Sequence, residues 1–259
     1  MIEHNFKKKF GQNFISDKNL LRAICADAEI ESADQVLEIG AGGGSLTATL
    51  SEFAAKVVSY EIDTDLKEHL FGLNLNNVKF VFGDIMKFSL EEIEEDFMAG
   101  YKMVANLPYY ITSPITLKFL KSKKLASLTI MVQKEVAERM CAKAGGKDYG
   151  VLSIMTAFYG EAEIKRIVSR KLFYPQPKVD SAIVSIKLNH NKFENIDGEK
   201  FFKFVTNAFS MRRKTLKNNL ATCGIDKSKL DSLGQVVLNM RPEQFDLGQF
   251  VDIYLKIVD

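Results

Sequence analysis

Between residues 18 and 132 short apolar runs alternate with segments of helical periodicity, and no other feature constrains the fold of this chain as strongly. The runs fall at 35–39, 56–60, 78–82, 102–105 and 128–132, each short and apolar enough for a strand buried on both faces. Helices are expected at 18–29, 46–53, 66–73, 90–97 and 115–120, with Asp17 or Ser16 capping the first and Pro114 near the first turn of the last. Such alternation argues for an α/β chain with a doubly wound, largely parallel sheet. Segments 164–168 and 182–188 read as an antiparallel pair closing that sheet. Past about Asn189 the periodicity is helical throughout, at 197–210, 213–222, 227–233 and 242–257, with Gly224 and Gly234 as stops. The expected organisation is therefore a larger domain over 1–189 and a small all-helical domain over 190–259.

Composition narrows the function classes. The 259 residues are 46% hydrophobic, enough to fill such a core without staples. Cys25, Cys141 and Cys223 are odd in number and far apart, which supports neither a disulfide framework nor a Cys-x-x-Cys metal site. His4, His69 and His190 are equally scattered, so no metal is expected. No apolar segment has the length of a membrane span, and residues 1–9 lack an apolar signal core; a cytoplasmic protein with no membrane partner is expected. A net charge of +2 by itself argues nothing about nucleic acid. Basic groups cluster locally, at Lys7-Lys8-Lys9, Lys165-Arg166, Arg170-Lys171, Lys178 and Arg212-Arg213-Lys214 with Lys217, although a charge run is by default a solvated face.

The chemistry-bearing residues fall at strand ends. Val36 to Ile39 runs into Gly40-Ala41-Gly42-Gly43-Gly44-Ser45, where glycine lets the backbone turn sharply and approach a ligand. A dinucleotide fingerprint would want a small third residue at position 45, where Ser45 stands. The spacing of Gly40, Gly42 and Gly44 after Glu38 resembles instead the first motif of S-adenosylmethionine-dependent methyltransferases. Glu61 ends the next strand, where a carboxylate can accept two ribose hydroxyls, and Asp84 follows the third, within reach of an adenine amine. Two acids beside a ligand suit a cationic sulfonium better than a pyrophosphate. Each acid could equally cap a following helix. The fourth strand runs into Asn106-Leu107-Pro108-Tyr109-Tyr110, which clusters a side-chain amide, a backbone carbonyl and an aromatic face suited to a planar base with an exocyclic amine. Alone, that segment is also an ordinary strand ending in a turn.

With these residues in view, the chain resembles the ribosomal RNA adenine dimethyltransferase family, in its bacterial small-subunit branch. The resemblance spans essentially the whole chain. Besides the motifs above, it rests on Phe10-Gly11-Gln12-Asn13-Phe14, Gln133-x-Glu135-Val136-Ala137-x-Arg139, Tyr149-Gly150-x-Leu152-Ser153, Phe173-x-Pro175-x-Pro177-Lys178-Val179-x-Ser181 and Arg212-Arg213-Lys214-Thr215-Leu216-x-Asn218-Asn219-Leu220. Ala41, Ala144 and Gln176 stand where the family usually carries proline.

The resemblance implies a Rossmann-like S-adenosylmethionine-dependent methyltransferase domain with a C-terminal helical RNA-recognition domain. It implies dimethylation of two adjacent adenosines near the 3′ end of small-subunit (16S) ribosomal RNA, within a pre-ribosomal particle, by a monomer. Asn13, Ile15, Gly40, Glu61, Asp84 and Asn106 would then contact the cofactor. Asn106 and Leu107 would hold the target amine, Tyr109 and Phe173 would sandwich the base, and Lys178, Arg212, Arg213, Lys214 and Lys217 would bind RNA. Three rivals are weighed. A ribosome-assembly factor is disfavoured by the intact Asn106–Tyr109 segment. A large-subunit resistance methyltransferase is disfavoured by Leu107, where such enzymes tend to carry Ile, and a nicotinamide oxidoreductase by Ser45.

Overall fold

In the computed structural model, which describes residues 14–190, 192–211, 213–222 and 225–258, the chain divides into two compact units. One comprises the residues up to 137 with 162–188, the other 138–161 with 189 onward.

The first unit opens with β1 (Phe14–Ile15) and α1 (Lys18–Asp27). Asp17 caps α1, its carboxylate accepting the Leu20 N–H at 2.8 Å, and the helix buries Leu20, Leu21, Ile24 and Cys25. The alternation then proceeds as β2 (Gln35–Ile39), α2 (Ser45–Phe53), β3 (Lys56–Glu61), α3 (Lys67–Phe71), β4 (Val78–Phe82), α4 (Leu90–Glu94), β5 (Tyr101–Asn106), α5 (Thr112–Phe119) and β6 (Leu125–Gln133). After α6 (Lys134–Met140) and α7 (Val151–Tyr159) come β7 (Gly160–Val168), β8 (Phe173–Tyr174) and β9 (Ser181–Leu188). Seven strands form one sheet in the order β4-β3-β2-β5-β6-β9-β7, while β1 and β8 pair separately. From β4 through β6 every pair is parallel, and β9 is antiparallel to β6. The chain therefore winds outward from β2 to β4, returns to the other side of β2, and winds outward again.

This is the doubly wound sheet expected from the alternation. The core forms where the apolar strand residues meet α1 and α2, with Val36, Leu50, Val57 and Val104 wholly buried. Each such side chain contributes about 1.5–3 kcal/mol by leaving water. The expected helix at 90–97 stops at Glu94 and that at 66–73 is a single turn of 3₁₀ helix followed by α3. The last begins three residues earlier than expected, at Thr112, and absorbs Pro114 within its first turn, where no amide partner is lost.

The second unit packs α7 with α8 (Gly198–Ala208), α9 (Leu216–Ala221), α10 (Lys227–Asp231), α11 (Gln235–Asn239) and α12 (Leu247–Val258). Its centre is aromatic: Phe158 of α7 stacks on Phe193 at 5.1 Å and on Phe201 of α8 at 4.7 Å, and Phe201 meets Tyr254 of α12 edge-on. This corrects the expected boundary in one respect. Segment 138–161 sits in the larger domain by sequence position, but α7 presents Phe158 to rings that follow residue 189, so it belongs to the helical unit. Helices α7 and α11 were not expected from periodicity. The expected helix over 242–257 is interrupted, because Asp246 and Gln249 exchange backbone and side-chain hydrogen bonds at 2.9 Å and start α12 afresh.

Candidate active site

The parallel register decides which residues meet. Ile39 lies opposite Tyr60 and Ala105, Glu61 opposite Phe82, and Asn106 opposite Met131. Gly40, Glu61, Asp84 and Asn106 consequently leave the sheet at one carboxyl edge, where winding reverses between β2 and β5. A cleft of about 1120 Å³, its open mouth included, lies there. It is lined by Ile15, Gly40, Glu61, Asp84, Asn106, Leu107 and Tyr109 together with Phe14 and Tyr110.

The glycine turn is required sterically at two positions. A Cβ on Gly44, whose φ is +78°, would lie 2.4 Å from Leu73 Cδ1. One on Gly42, at φ +55°, would lie 3.1 Å from the Phe14 ring. Glu61 ties this turn to β3: its Oε2 accepts the Gly42 N–H at 2.7 Å and its Oε1 the Asp63 N–H at 2.8 Å. Burial pushes the Glu61 carboxyl above its usual range, and these two backbone donors oppose the shift. With backbone donors from Asp63, Gly42 and Ile62, the carboxylate retains acceptor capacity for a hydroxyl donor. Asp84 combines two roles, capping the 3₁₀ turn Ile85–Lys87 through the Met86 N–H at 3.0 Å while lining the cleft.

Beneath the turn Glu38 is wholly buried, and its Oε2 accepts hydroxyls from Thr47 of α2 and Ser59 of β3, both at 2.5 Å. Its Oε1 has no hydrogen-bond partner among the described residues. Desolvation raises its pKa to about 7, against the two hydroxyl donors. Glu38 thus staples β2 to α2 and β3 directly under the glycines.

On the opposite wall, Asn106 ends β5, Leu107 is buried, and the Pro108 carbonyl accepts the Ile111 N–H at 3.1 Å to turn the chain into α5. The half-buried Tyr109 shares a 2.8 Å hydrogen bond with the Ser181 hydroxyl, which orients its ring along the cleft wall. Burial raises the Tyr109 pKa. Its neighbour Tyr110 is exposed.

Phe173 is not brought to this wall. On β8 it pairs with Ile15 and lies in the core cluster with Val168 and Ile183, only 5% exposed, while alternation along the strand turns Tyr174 outward. Of the two rings expected to sandwich the base, Tyr109 lines the cleft and Phe173 lies in the core cluster. Asn13 and Arg212 lie outside the described residues. Arg213 and Lys214 are exposed in the turn before α9, with Lys217 on its surface, and Lys178 is exposed near the start of β9. Buried Asn219 shapes that turn, donating to the Ala208 carbonyl at 2.7 Å and accepting the Met211 N–H at 3.0 Å. Lys165 and Arg166 face acidic partners, Glu163 and Asp27, which accounts for their charge locally.

Sequence reasoning assigned no role to Ser181, Thr47 or Ser59. Ser181 carried a signal only as the end of the Phe173–Ser181 motif. Thr47 carried one only as the end of the Glu38-Ile39-Gly40-x-Gly42-x-Gly44-x-Leu46-Thr47 motif, and Ser59 carried none, because an isolated Ser in an apolar run names no partner.

Residues 3–259 match a family model described as ribosomal RNA adenine dimethylase. The chain is 42% identical over 255 residues to a ribosomal RNA small subunit methyltransferase A from Caldanaerobacter subterraneus subsp. tengcongensis, covering 95% of each. It is 46% identical over 225 residues to the protein of the same name from Listeria monocytogenes, covering 84% of this chain and 76% of that one. Among solved structures it resembles a dimethyladenosine transferase from Plasmodium falciparum, with a TM-score of 0.80 and 27% identity over 94% of this chain and 96% of that one. It also resembles the 23S rRNA methyltransferase ErmE, with a TM-score of 0.68 and 27% identity over 95% and 100%.

Proposed function

This chain belongs to the ribosomal RNA adenine dimethylase family, and from that membership we propose that it is an S-adenosylmethionine-dependent methyltransferase that dimethylates the exocyclic amines of two adjacent adenosines near the 3′ end of small-subunit ribosomal RNA. The carrying observation is the convergence of Gly40, Glu61, Asp84 and Asn106 on one cleft. The residues suit the cofactor: a side chain at cleft-lining Gly42 would press on the Phe14 ring, and two acids face a ligand that bears a positive sulfonium. Ile15 and Gly40 would flank it, with Asn13 beside them by resemblance, Glu61 would accept the ribose hydroxyls and Asp84 the adenine amine.

When bound, S-adenosylmethionine supplies a methyl carbon made electrophilic by its sulfonium sulfur. The remainder falls to the chain. An aromatic amine is a poor nucleophile because its lone pair is delocalised into the ring. The Asn106 side-chain oxygen and the Leu107 carbonyl would accept its two N–H groups, favouring a pyramidal nitrogen with its lone pair free to attack. The same dipoles stabilise the positive charge that develops on nitrogen. Tyr109, held by Ser181, offers its face to the unstacked base and offsets part of the cost of flipping. Alignment of amine and methyl supplies much of the remaining acceleration.

Arg213, Lys214 and Lys217, with Arg212, would grip the RNA backbone, making the second unit the RNA-recognition domain, and Lys178 of the first unit would bind RNA as well. The setting is cytoplasmic, on a maturing small subunit, with the enzyme acting as a monomer; no helix among the described residues is long and apolar enough to cross a membrane. Incubation with labelled S-adenosylmethionine and small subunits lacking the modification, followed by nuclease mapping, tests the reading. Label in dimethyladenosine of the small-subunit RNA is expected. Label on large-subunit RNA only, or none, overturns it.

A further inference from the structure

Lys118 lies near the end of α5, the helix that grows directly out of the Asn106–Tyr110 wall. Its ammonium leaves that helix and reaches a different part of the cleft, donating to the Ile85 carbonyl at 2.7 Å and to the Phe88 carbonyl. Both carbonyls belong to the turn that Asp84 caps, and both lie on the chain just after the cleft-lining carboxylate. The side chain is half-buried there, and desolvation lowers its pKa, with the charges of Asp84 and Glu92 opposing the shift. On its other side the same turn is held by Phe88, whose ring meets Tyr60 edge-on at 5.3 Å and would lie 3.0 Å from a Cβ at Gly83. The ring and the ammonium grip the turn from β3 and from α5.

We propose that Lys118 is a positioning residue for the adenine end of the cofactor site, holding the Asp84 turn in register with the amine-binding wall. This rests on reading the cleft as the S-adenosylmethionine site. A charged donor shared by two backbone carbonyls is stronger than neutral turn bonds. A single flexible side chain therefore links the two walls between which the methyl group must pass. Asp84 recognises the adenine amine only if its turn stays at a fixed height above the sheet, and the Lys118 ammonium links α5 to that turn by hydrogen bonds.

The test compares wild type with Lys118→Met, which keeps the length and loses the charge, and with Lys118→Arg. Binding of S-adenosylhomocysteine is measured by calorimetry beside S-inosylhomocysteine, in which a ring carbonyl replaces the adenine amine. In Lys118→Met, S-adenosylhomocysteine should bind roughly tenfold more weakly. The wild-type preference for adenine over hypoxanthine should shrink with it, while KM for RNA stays within about twofold. Lys118→Arg should recover most of the preference. Retention of both affinity and preference in Lys118→Met overturns the proposal, as does an equal loss of cofactor and RNA binding with a lowered Tm. Wild type that binds S-adenosylhomocysteine while Lys118→Met does so equally well removes this inference alone; wild type that fails to bind it removes the cofactor reading as well.

Discussion

On one side of the cleft the polar groups are committed to partners within the protein before any ligand arrives: Glu61 holds the Gly42 and Asp63 amides, Asp84 the Met86 amide, and Glu38 the Thr47 and Ser59 hydroxyls. On the other side the Asn106–Tyr110 segment takes its position from the end of β5 and from the Tyr109–Ser181 hydrogen bond. The difference follows from what each wall must accept. The cofactor wall meets the same ligand at every turnover, so hydrogen bonds already formed lower the cost of ordering it. The acceptor wall meets an amine before and after its first methylation, and a ring face with nearby carbonyls can serve both.

Three substitutions probe that contrast, in decreasing size of effect. Asn106→Ala removes a dipole aimed at developing charge, so methyl transfer should fall by roughly 100-fold or more while S-adenosylhomocysteine affinity by calorimetry changes little. Equal losses in both would mean that the acceptor wall also builds the cofactor site.

Glu38→Gln tests the first wall through pH. The folded pKa of Glu38 is about 7 against an ordinary 4.5, so the native state holds a proton that the unfolded chain has released between those values. The stabilisation is complete below about 4.5, is lost as pH rises towards 7, and amounts to about 3 kcal/mol. Glutamine stays neutral, so the fall in Tm between pH 5 and 8 should flatten, with a residual slope from Glu61. An unchanged slope would show that Glu38 ionises without cost in the fold.

Ser181→Ala removes the anchor of the Tyr109 ring and should cost about 1 kcal/mol, roughly fivefold in kcat/KM for RNA. Tyr109→Phe should match it, and the double variant should add nothing further. Additive losses would separate the two residues.

The elements that build the cofactor wall were legible because their signals are local. Gln35–Ile39 and Val78–Phe82 are bounded as expected from their apolar runs, and the glycines at 40, 42 and 44 announce a turn that side chains cannot make. Asp17 and Asp197 cap α1 and α8 where the pattern put helix starts. Resemblance alone assigned Phe173 to the base, since a lone Phe before Pro175 reads as a core aromatic; pairing of β8 with β1 sets it in the core cluster. Segment 138–161 was placed in the larger domain because its apolar residues name no partner, and the partners, Phe193 and Phe201, follow three intervening strands.

By itself, then, the sequence determined the order of strands and turns, the backbone freedom at the glycine loop, and the residue types delivered to one sheet edge, since each depends on neighbours a few positions apart. Tertiary structure alone decided that Ser181 orients Tyr109, that Lys118 grips the Asp84 turn, that Glu38 is buried against the Thr47 and Ser59 hydroxyls, and that Phe173 joins the core cluster. Those outcomes depend on burial and on hydrogen bonds between residues dozens of positions apart, and such contacts exist only once the sheet has brought its strands into register.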